Sequence, residues 1–204
     1  MTSEIRVNKV IPGSGTTVTL GASGDTITVP SGATLAVASG ATISNAGTAT
    51  GFGKVLQVVQ AVKSDTFSSS AASWTDVTGL SVSITPASTS NKVLIIPSIQ
   101  SSSSGGGNAF AIDRDGTRLA VPATVGNRLS GTFPAGLQLG SAEIATTSLV
   151  YLDSPSSTSS VTYKIQVNCN SGGTQYVNFN YDDATATINY IRVSSSITVM
   201  EIAG

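Results

Sequence analysis

The sequence predicts an all-β protein in which a repetitive N-terminal stalk precedes a C-terminal antiparallel β-sandwich head of the jelly-roll kind. Three observations predict it: residues 14–46 repeat every eight positions, about ten later segments alternate apolar and polar residues, and no segment keeps a helical period. Gly, Pro, Ser and Asp separate the later segments, as is typical of short strands joined by turns. We therefore divide the chain into an attachment segment (1–13), repeats with a Gly-rich neck (14–53) and a head (54–204).

The attachment segment combines a few apolar residues with a closing turn signal. Ile5, Val7 and Val10 are apolar, and Pro12-Gly13 ends the segment before the repeats begin. We expect residues 1–13 to dock the protein onto a larger assembly.

The repeats open with Ser-Gly at Ser14, Ser23, Ser31 and Ser39, with one extra residue, Ala22, after the first unit. Alternating apolar residues predict a strand in each unit, and Gly at a fixed phase predicts a turn. Units this short cannot bury their apolar side chains alone, so we predict a fibrous stalk of several chains wrapped about one axis. The residues predicted to face its axis are Val18, Leu20, Ile27, Val29, Leu35, Val37 and Ile43.

The head is predicted to contain short strands joined by long loops rich in Gly, Pro, Ser and Asn. Asp115-Gly116 between two apolar segments predicts a hairpin, and the run Val93-Leu94-Ile95-Ile96 predicts a fully buried strand. Soft loops, where binding usually occurs, are expected at 101–108, 122–136, 154–160 and 168–174. The predicted strands are 55–62, 74–77, 80–84, 92–99, 109–114, 117–121, 144–152, 161–167, 176–181, 187–193 and 197–202.

The composition excludes several classes of partner. Charged residues make up 10% of the chain and the net charge is −1, which argues against nucleic acid and anionic membrane surfaces. No apolar run approaches the roughly 20 residues of a spanning helix, and the N-terminus lacks a secretory signal pattern. We expect synthesis in a cytoplasm. The single Cys169 is predicted to be a part-buried thiol at the end of a strand.

The sequence does not point to catalysis or to a cofactor. It has no His, no Gly-x-Ser-x-Gly elbow and no phosphate-binding loop. Asp182-Asp183 and the pair Asp113 and Asp115 are the only acidic residues close in sequence, and a turn explains each better than a sugar or cation site. A calcium loop from Asp113 would need an acidic residue at its twelfth position, which is Thr124.

Two groups of side chains are candidates for ligand contacts. Tyrosines late in the head present an apolar ring with a polar handle, and three arginines suit an acidic glycan. The alternatives are a core or trimer-interface role for the aromatic residues and a solvated hairpin face for the arginines, while Trp74 is expected in the core. The candidates are Tyr176, Tyr181, Asp182, Asp183, Arg114, Arg118, Asn127 and Arg128.

Several stretches spread along nearly the whole chain match a known type of protein; they include Ile5-Arg6-Val7-Asn8-Lys9-Val10, Gly51-Phe52-Gly53-Lys54-Val55-Leu56 and Arg114-Asp115-Gly116-Thr117. These stretches resemble tail-fibre and related appendage proteins of marine and cyanobacterial phages. The resemblance implies a trimer with a thin N-terminal stalk bound to the virion and a globular C-terminal head. Its expected partners are further copies of the chain, other virion proteins through the N-terminus, and a glycan or protein of the host surface.

Two structural roles are compatible with this resemblance. The first is a non-enzymatic tail fibre whose head adheres to the host. The second is a capsid-decorating, collar or baseplate protein, a head fibre or cement, without receptor binding. A third possibility, a glycan depolymerase, predicts release of oligosaccharide from the host envelope.

Overall fold

A computed structural model describes residues 13, 15, 17–18, 20, 24–41, 54–135, 143–170, 172–182 and 191–204. The chain divides into two units, Met1–Thr50 and Gly51–Gly204. The predicted attachment segment (apart from Gly13), the neck, Ile43 and Asp183 lie outside the described residues. Among the described residues, no helix is long and apolar enough to cross a membrane.

The first unit contains the turns that the repeats predict. The Ala33 amide donates to the Pro30 carbonyl and the Ala41 amide to the Ala38 carbonyl, each at 3.0 Å. Gly32 and Gly40 occupy the third position of these turns with φ of +83° and +82°, as in a type II turn, which only Gly adopts without strain. The intervening residues of 24–41 form no strand within one chain. Paired strands and the trimeric stalk therefore remain predictions.

The second unit consists of antiparallel strands, and no helix occurs among its described residues. The strands are β1 (Val55–Lys63), β2 (Phe67–Ser69), β3 (Thr75–Ile84), β4 (Lys92–Ser103), β5 (Asn108–Arg114), β6 (Thr117–Leu119), β7 (Phe133–Pro134), β8 (Ala145–Ser148), β9 (Tyr151–Asp153), β10 (Val161–Cys169), β11 (Gln175–Val177) and β12 (Ser195–Ile202).

The strands form two sheets, each four positions wide. In sheet A, β12 and β11 pair with one edge of β4, β8 and β9 pair with its other edge, and β1 and β2 complete the sheet beside β12 and β11. In sheet B the order is β3-β10-β5, with β6 and β7 on the far edge of β5. The chain crosses repeatedly between the sheets, which is the winding of a jelly roll. The predicted antiparallel β-sandwich is confirmed.

The core lies between the inner faces of the two sheets. Sheet A contributes Ile95, Val199 and Ile197, and sheet B contributes Phe110 and Ile165, all fully buried. Side chains in successive positions of a strand point to opposite faces, so each strand contributes every second residue to this core. The remaining positions form two outer faces, which differ in chemistry.

Most predicted strands are present with shifted ends. The segments 74–77 and 80–84 form the single strand β3, and 144–152 is divided into β8 and β9. The segment 176–181 is shortened to β11, and of 187–193 the described part contributes only a bridge between Arg192 and Phe179. The strands β2 and β7 were not predicted, because two or three residues are too few to show a period.

The predicted loop at 101–108 is wrong at its start. Ser101, Ser102 and Ser103 continue β4 and are buried. The Ser102 hydroxyl donates to the Phe179 carbonyl and the Ser103 hydroxyl to the Gly105 carbonyl, so bonds within the protein replace those to water at these two hydroxyl groups. A Ser-rich stretch resembles a loop by composition, whereas its neighbours in the sheet decide its structure.

The loop 85–91 is fixed to the last strand by the carboxylate of Glu201, which is 1% exposed. This carboxylate accepts hydrogen bonds from the Ala87 amide (2.7 Å), Asn91 Nδ2 (2.5 Å) and Gln57 Nε2 (2.6 Å). Burial alone raises the pKa of Glu201, and the three donors more than offset it, so the pKa lies below its usual value.

The Glu201 site predicts acid-sensitive stability. Because its pKa is lowered on folding, its contribution is complete above the ordinary value of about 4.3 and is lost as the pH falls through the folded-state value. Glu201→Gln replaces one accepting oxygen with an NH₂ group that cannot accept from these donors. It should lower the free energy of unfolding by about 1–3 kcal/mol at pH 7. Urea unfolding of both proteins between pH 7 and pH 3 should show this difference shrinking with acidity. A difference independent of pH would contradict the assignment.

Candidate functional site

The outer face of sheet B carries an aromatic side chain and a cation that meet above the sheet. Trp74 precedes β3 and lies two residues before Asp76. The Asp76 carboxylate accepts a hydrogen bond from Gln166 on this outer face, so Trp74 lies on the same side of the sheet. Arg118 comes from β6 on the opposite edge, where its backbone lies opposite Asp113 of β5. The guanidinium carbon of Arg118 lies 5.1 Å from the centre of the Trp74 ring. This cation–π contact orients both groups while leaving them partly exposed.

The loop between β6 and β7 returns over the same face and is held by Thr132. The Thr132 hydroxyl donates to the Leu119 carbonyl at 2.7 Å and accepts from the Ile112 amide at 3.0 Å. Gly131 permits the close approach, since a Cβ there would lie 2.6 Å from the Ala109 Cβ and 3.2 Å from Trp74 Cη2. The loop is therefore anchored against β5 beside the tryptophan.

Two adjoining cavities, of about 630 Å³ and 350 Å³, border this loop and together form what we call the sheet B cleft. They share Asn127, Arg128, Leu129, Ser130 and Asn170. The smaller cavity adds Trp74 and Arg118. No carboxylate is among the described residues that line either cavity. The combined size is that of small-molecule and saccharide sites.

The cleft is electrostatically positive in a chain of net charge −1. Arg118 and Arg128 form no ion pair with the carboxylates in the described part of the chain. The nearby Asp76 is occupied by Gln166 Nε2 (2.8 Å) and Lys164 Nζ (2.9 Å), which lower its pKa. The free guanidinium groups therefore favour an anionic ligand, and the tryptophan and amides suit a sugar ring.

The predicted site residues separate into three places. Arg118, Asn127 and Arg128 come together in the sheet B cleft. Arg114 instead forms an ion pair with Asp153 and joins the two sheets. Tyr176 and Tyr181 lie elsewhere, on the side of sheet A.

The tyrosines form an aromatic cluster with Phe179. The ring of Tyr176 contacts Phe179 edge to face at 5.2 Å and Tyr181 at 6.3 Å, and Arg192 lies 5.0 Å from the Phe179 ring. All three rings are half-buried. They pack mainly on one another, which favours the structural alternative. Asp182 follows the cluster in an exposed turn.

Sequence reasoning missed two members of the cleft. Trp74 was expected in the core, but it is half-buried and lies outside the core cluster. Trp74 lies three residues before the buried Val77, so the alternation of a regular strand would place it on the outer face. The bulge in β3 weakens this signal. Asn170 lies in the turn after β10, inside the loop predicted at 168–174, but it was not among the candidate site residues.

The remaining acidic and thiol predictions concern structural positions. Asp113 Oδ1 accepts from the Gly116 amide, and Asp115 Oδ1 accepts from the Thr162 amide, both at 3.0 Å, so the turn uses both carboxylates. Among the described residues, no group of three or more His, Cys, Asp or Glu is placed to hold a metal. Cys169 ends β10, as predicted, but it is fully buried and not part-buried, and burial raises the pKa of its thiol.

No family model and no curated protein matches the sequence. Solved structures of infectious bursal disease virus contain remotely similar chains. The Gt strain chain is 14% identical (TM-score 0.35), the Gx strain chain 13% (0.33) and the VP2 subviral particle chain 15% (0.29). The similarity covers 72–75% of this chain and about two fifths of theirs, 37–42%. Nothing about function follows from it, and the tail-fibre assignment stays a prediction.

Proposed function

We propose that this chain is a structural protein of a phage virion, a homotrimeric tail fibre that is exposed on the particle. Its sandwich head binds an acidic glycan of the host surface through the sheet B cleft, without catalysis. The observation that carries this proposal is a cavity that, among the described residues, is lined by a tryptophan, by two arginines without an ion pair and by no carboxylate. The repeats and the resemblance to phage appendage proteins support the fibre role.

The chemistry of the cleft suits weak, reversible saccharide binding. The exposed part of the Trp74 ring offers a flat apolar surface to a sugar ring. Arg118 and Arg128 offer paired N–H donors that match a carboxylate or sulfate bidentately. The side-chain amides of Asn127 and Asn170 can both donate to and accept from sugar hydroxyl groups.

Weak sites become effective through repetition. Three heads per fibre and several fibres per particle turn successive binding events into intramolecular ones, which raises avidity by roughly 10²–10⁴ without a new contact. The N-terminal segment would join the fibre to other virion proteins. Neither nucleic acid nor membrane insertion has a part in this function.

The function can be tested by binding of the full chain to polygalacturonate, with neutral dextran as the control polysaccharide. Trp74→Ala and Arg118→Ala should each weaken polygalacturonate binding by about tenfold or more, about 1.4 kcal/mol, because each removes a principal contact. Arg118→Ala should also reduce the dependence of binding on salt.

Tyr176→Ala is the matched control, since it removes a half-buried aromatic ring from the other sheet. It should leave binding unchanged. If Tyr176→Ala weakens binding and Trp74→Ala does not, the receptor site is the aromatic cluster. If the parent binds neither polygalacturonate nor host cells, and antibody labels the shell of intact particles, the capsid-decorating role replaces the fibre role.

A further inference from the structure

The outer face of sheet A carries an apolar patch where β1, β12, β4 and β9 lie side by side, and polar residues such as Gln60, Thr198 and Ser98 adjoin it. Val58 pairs with Met200, Met200 with Leu94, and Leu94 with Leu152. These four residues therefore form one row across β1, β12, β4 and β9, on the side away from the core. Further apolar residues with the same orientation are Leu56, Ile96, Val150 and Ile202.

This face is exposed within one chain. Val58 is 55% and Leu152 52% exposed. Its outward positions carry one charge, Lys92 at the end of β4, which donates to the Ser154 hydroxyl at 2.9 Å. An antiparallel sheet that faces water normally alternates apolar residues with polar ones on the wet side. The part of β4 from Val93 to Pro97 is apolar on both sides, as is typical of a strand that is covered on both sides.

The identity of the cover follows from area and charge. Four strands about 4.8 Å apart and three rows about 6.8 Å apart give a patch of roughly 400 Å². A stable interface between separate proteins needs about 800 Å² per partner, so this patch alone suits a partner that is already held nearby. Among the described residues of the patch only Lys92, at the end of β4, is charged, so repulsion between copies is limited to this position.

We propose that the outer face of sheet A packs against further copies of the same chain. The neck at 47–53 joins β1 to the repeats by only a few residues, and assembled repeats would hold the heads at an effective concentration in the millimolar range. In this respect the inference rests on the proposed trimer. It adds that the head, and not the stalk alone, contributes to assembly.

This packing would determine where the ligand sites face. The sheet B cleft lies on the opposite side of the sandwich from the apolar face. Heads that associate through sheet A therefore leave every cleft directed outward. The buried face of sheet A would then serve assembly, and the exposed cleft on sheet B would serve host binding.

Thiol labelling tests the interface in the full chain, because the native Cys169 is only 1% exposed. Leu152→Cys places a thiol on the apolar face, and Val125→Cys places one at a 62% exposed position in the loop between β6 and β7. At a concentration where light scattering gives a trimer, Leu152→Cys should react with a maleimide at least about tenfold more slowly than Val125→Cys. Val58→Cys provides a second probe of the face if Leu152→Cys misfolds.

The outcomes separate this inference from the proposed function. A trimeric mass with equal labelling rates overturns the interface and leaves the trimer intact. A monomeric mass overturns the trimer and the interface together, and a thiol protected within a monomer assigns the face to another segment of the same chain. Binding of polygalacturonate is measured independently and tests the cleft alone.

Discussion

Replacing Asp153 with Ala is expected to lower the free energy of unfolding by about 3 kcal/mol. Asp153 is 4% exposed and belongs to β9 of sheet A. Its carboxylate accepts from Arg114 Nη1 at 2.7 Å and 2.9 Å and from the Tyr163 hydroxyl at 2.7 Å. Both donors belong to sheet B, so one carboxylate links the two sheets.

The size of the effect follows from what the substitution leaves behind. Tyr163 is fully buried, and burial, with the bond to Asp153, raises the pKa of its phenol strongly. Without Asp153 this hydroxyl has lost its acceptor inside the core, and the guanidinium of Arg114 has lost its counter-charge. The Arg114 side chain is 26% exposed, so solvent limits the cost to about 2–4 kcal/mol.

Asp76→Ala is the matched control for Asp153→Ala. It also removes a carboxylate from an ion pair, with Lys164 at 2.9 Å, but the Asp76 side chain is 45% exposed. It should cost less than about 1 kcal/mol. Denaturant unfolding of both variants checks this contrast, and equal losses would show that burial does not decide the strength of the Asp153 link.

Tyr163→Phe should cost about 1 kcal/mol, since it removes a single hydrogen bond.

Replacing Leu35 with Asp is expected to dissociate the trimer. Leu35 is 73% exposed within one chain, so the substitution would cost almost nothing in a monomer. In an intertwined stalk the threefold axis would bring three carboxylates together in an apolar environment, at a cost of several kcal/mol per trimer. The large difference between these two situations makes the substitution a sharp test of the predicted axis.

Light scattering measures the result, with the parent expected at three times the 20.5 kDa chain mass. Thr34→Asp is the control, because the neighbouring side chain of an extended segment points the other way. Thr34→Asp should keep the parent mass, whereas Leu35→Asp should fall towards the mass of one chain. A trimer that tolerates Leu35→Asp as well as Thr34→Asp would show that the assigned register is wrong.

Local sequence patterns determined much of the secondary structure of this protein. The Ser-Gly phase of the repeats placed the turns at Gly32 and Gly40, and Asp115-Gly116 placed the hairpin between β5 and β6. Alternating apolar residues located most of the long strands. These features were accessible because turns and strand periods depend on residues adjacent in the chain.

Tertiary structure alone decided the site and the two outer faces. Trp74 and Arg118 stand far apart in sequence, and they meet because opposite edges of sheet B direct both side chains over the same face. Arg114 was predicted to contact the ligand beside Arg118. Successive positions of a strand face opposite sides of the sheet, however, and Arg114 instead reaches Asp153. The apolar row from Val58 to Leu152 depends on the register of four strands. Such contacts join residues that no local pattern connects, so they emerge only when the sheets are assembled.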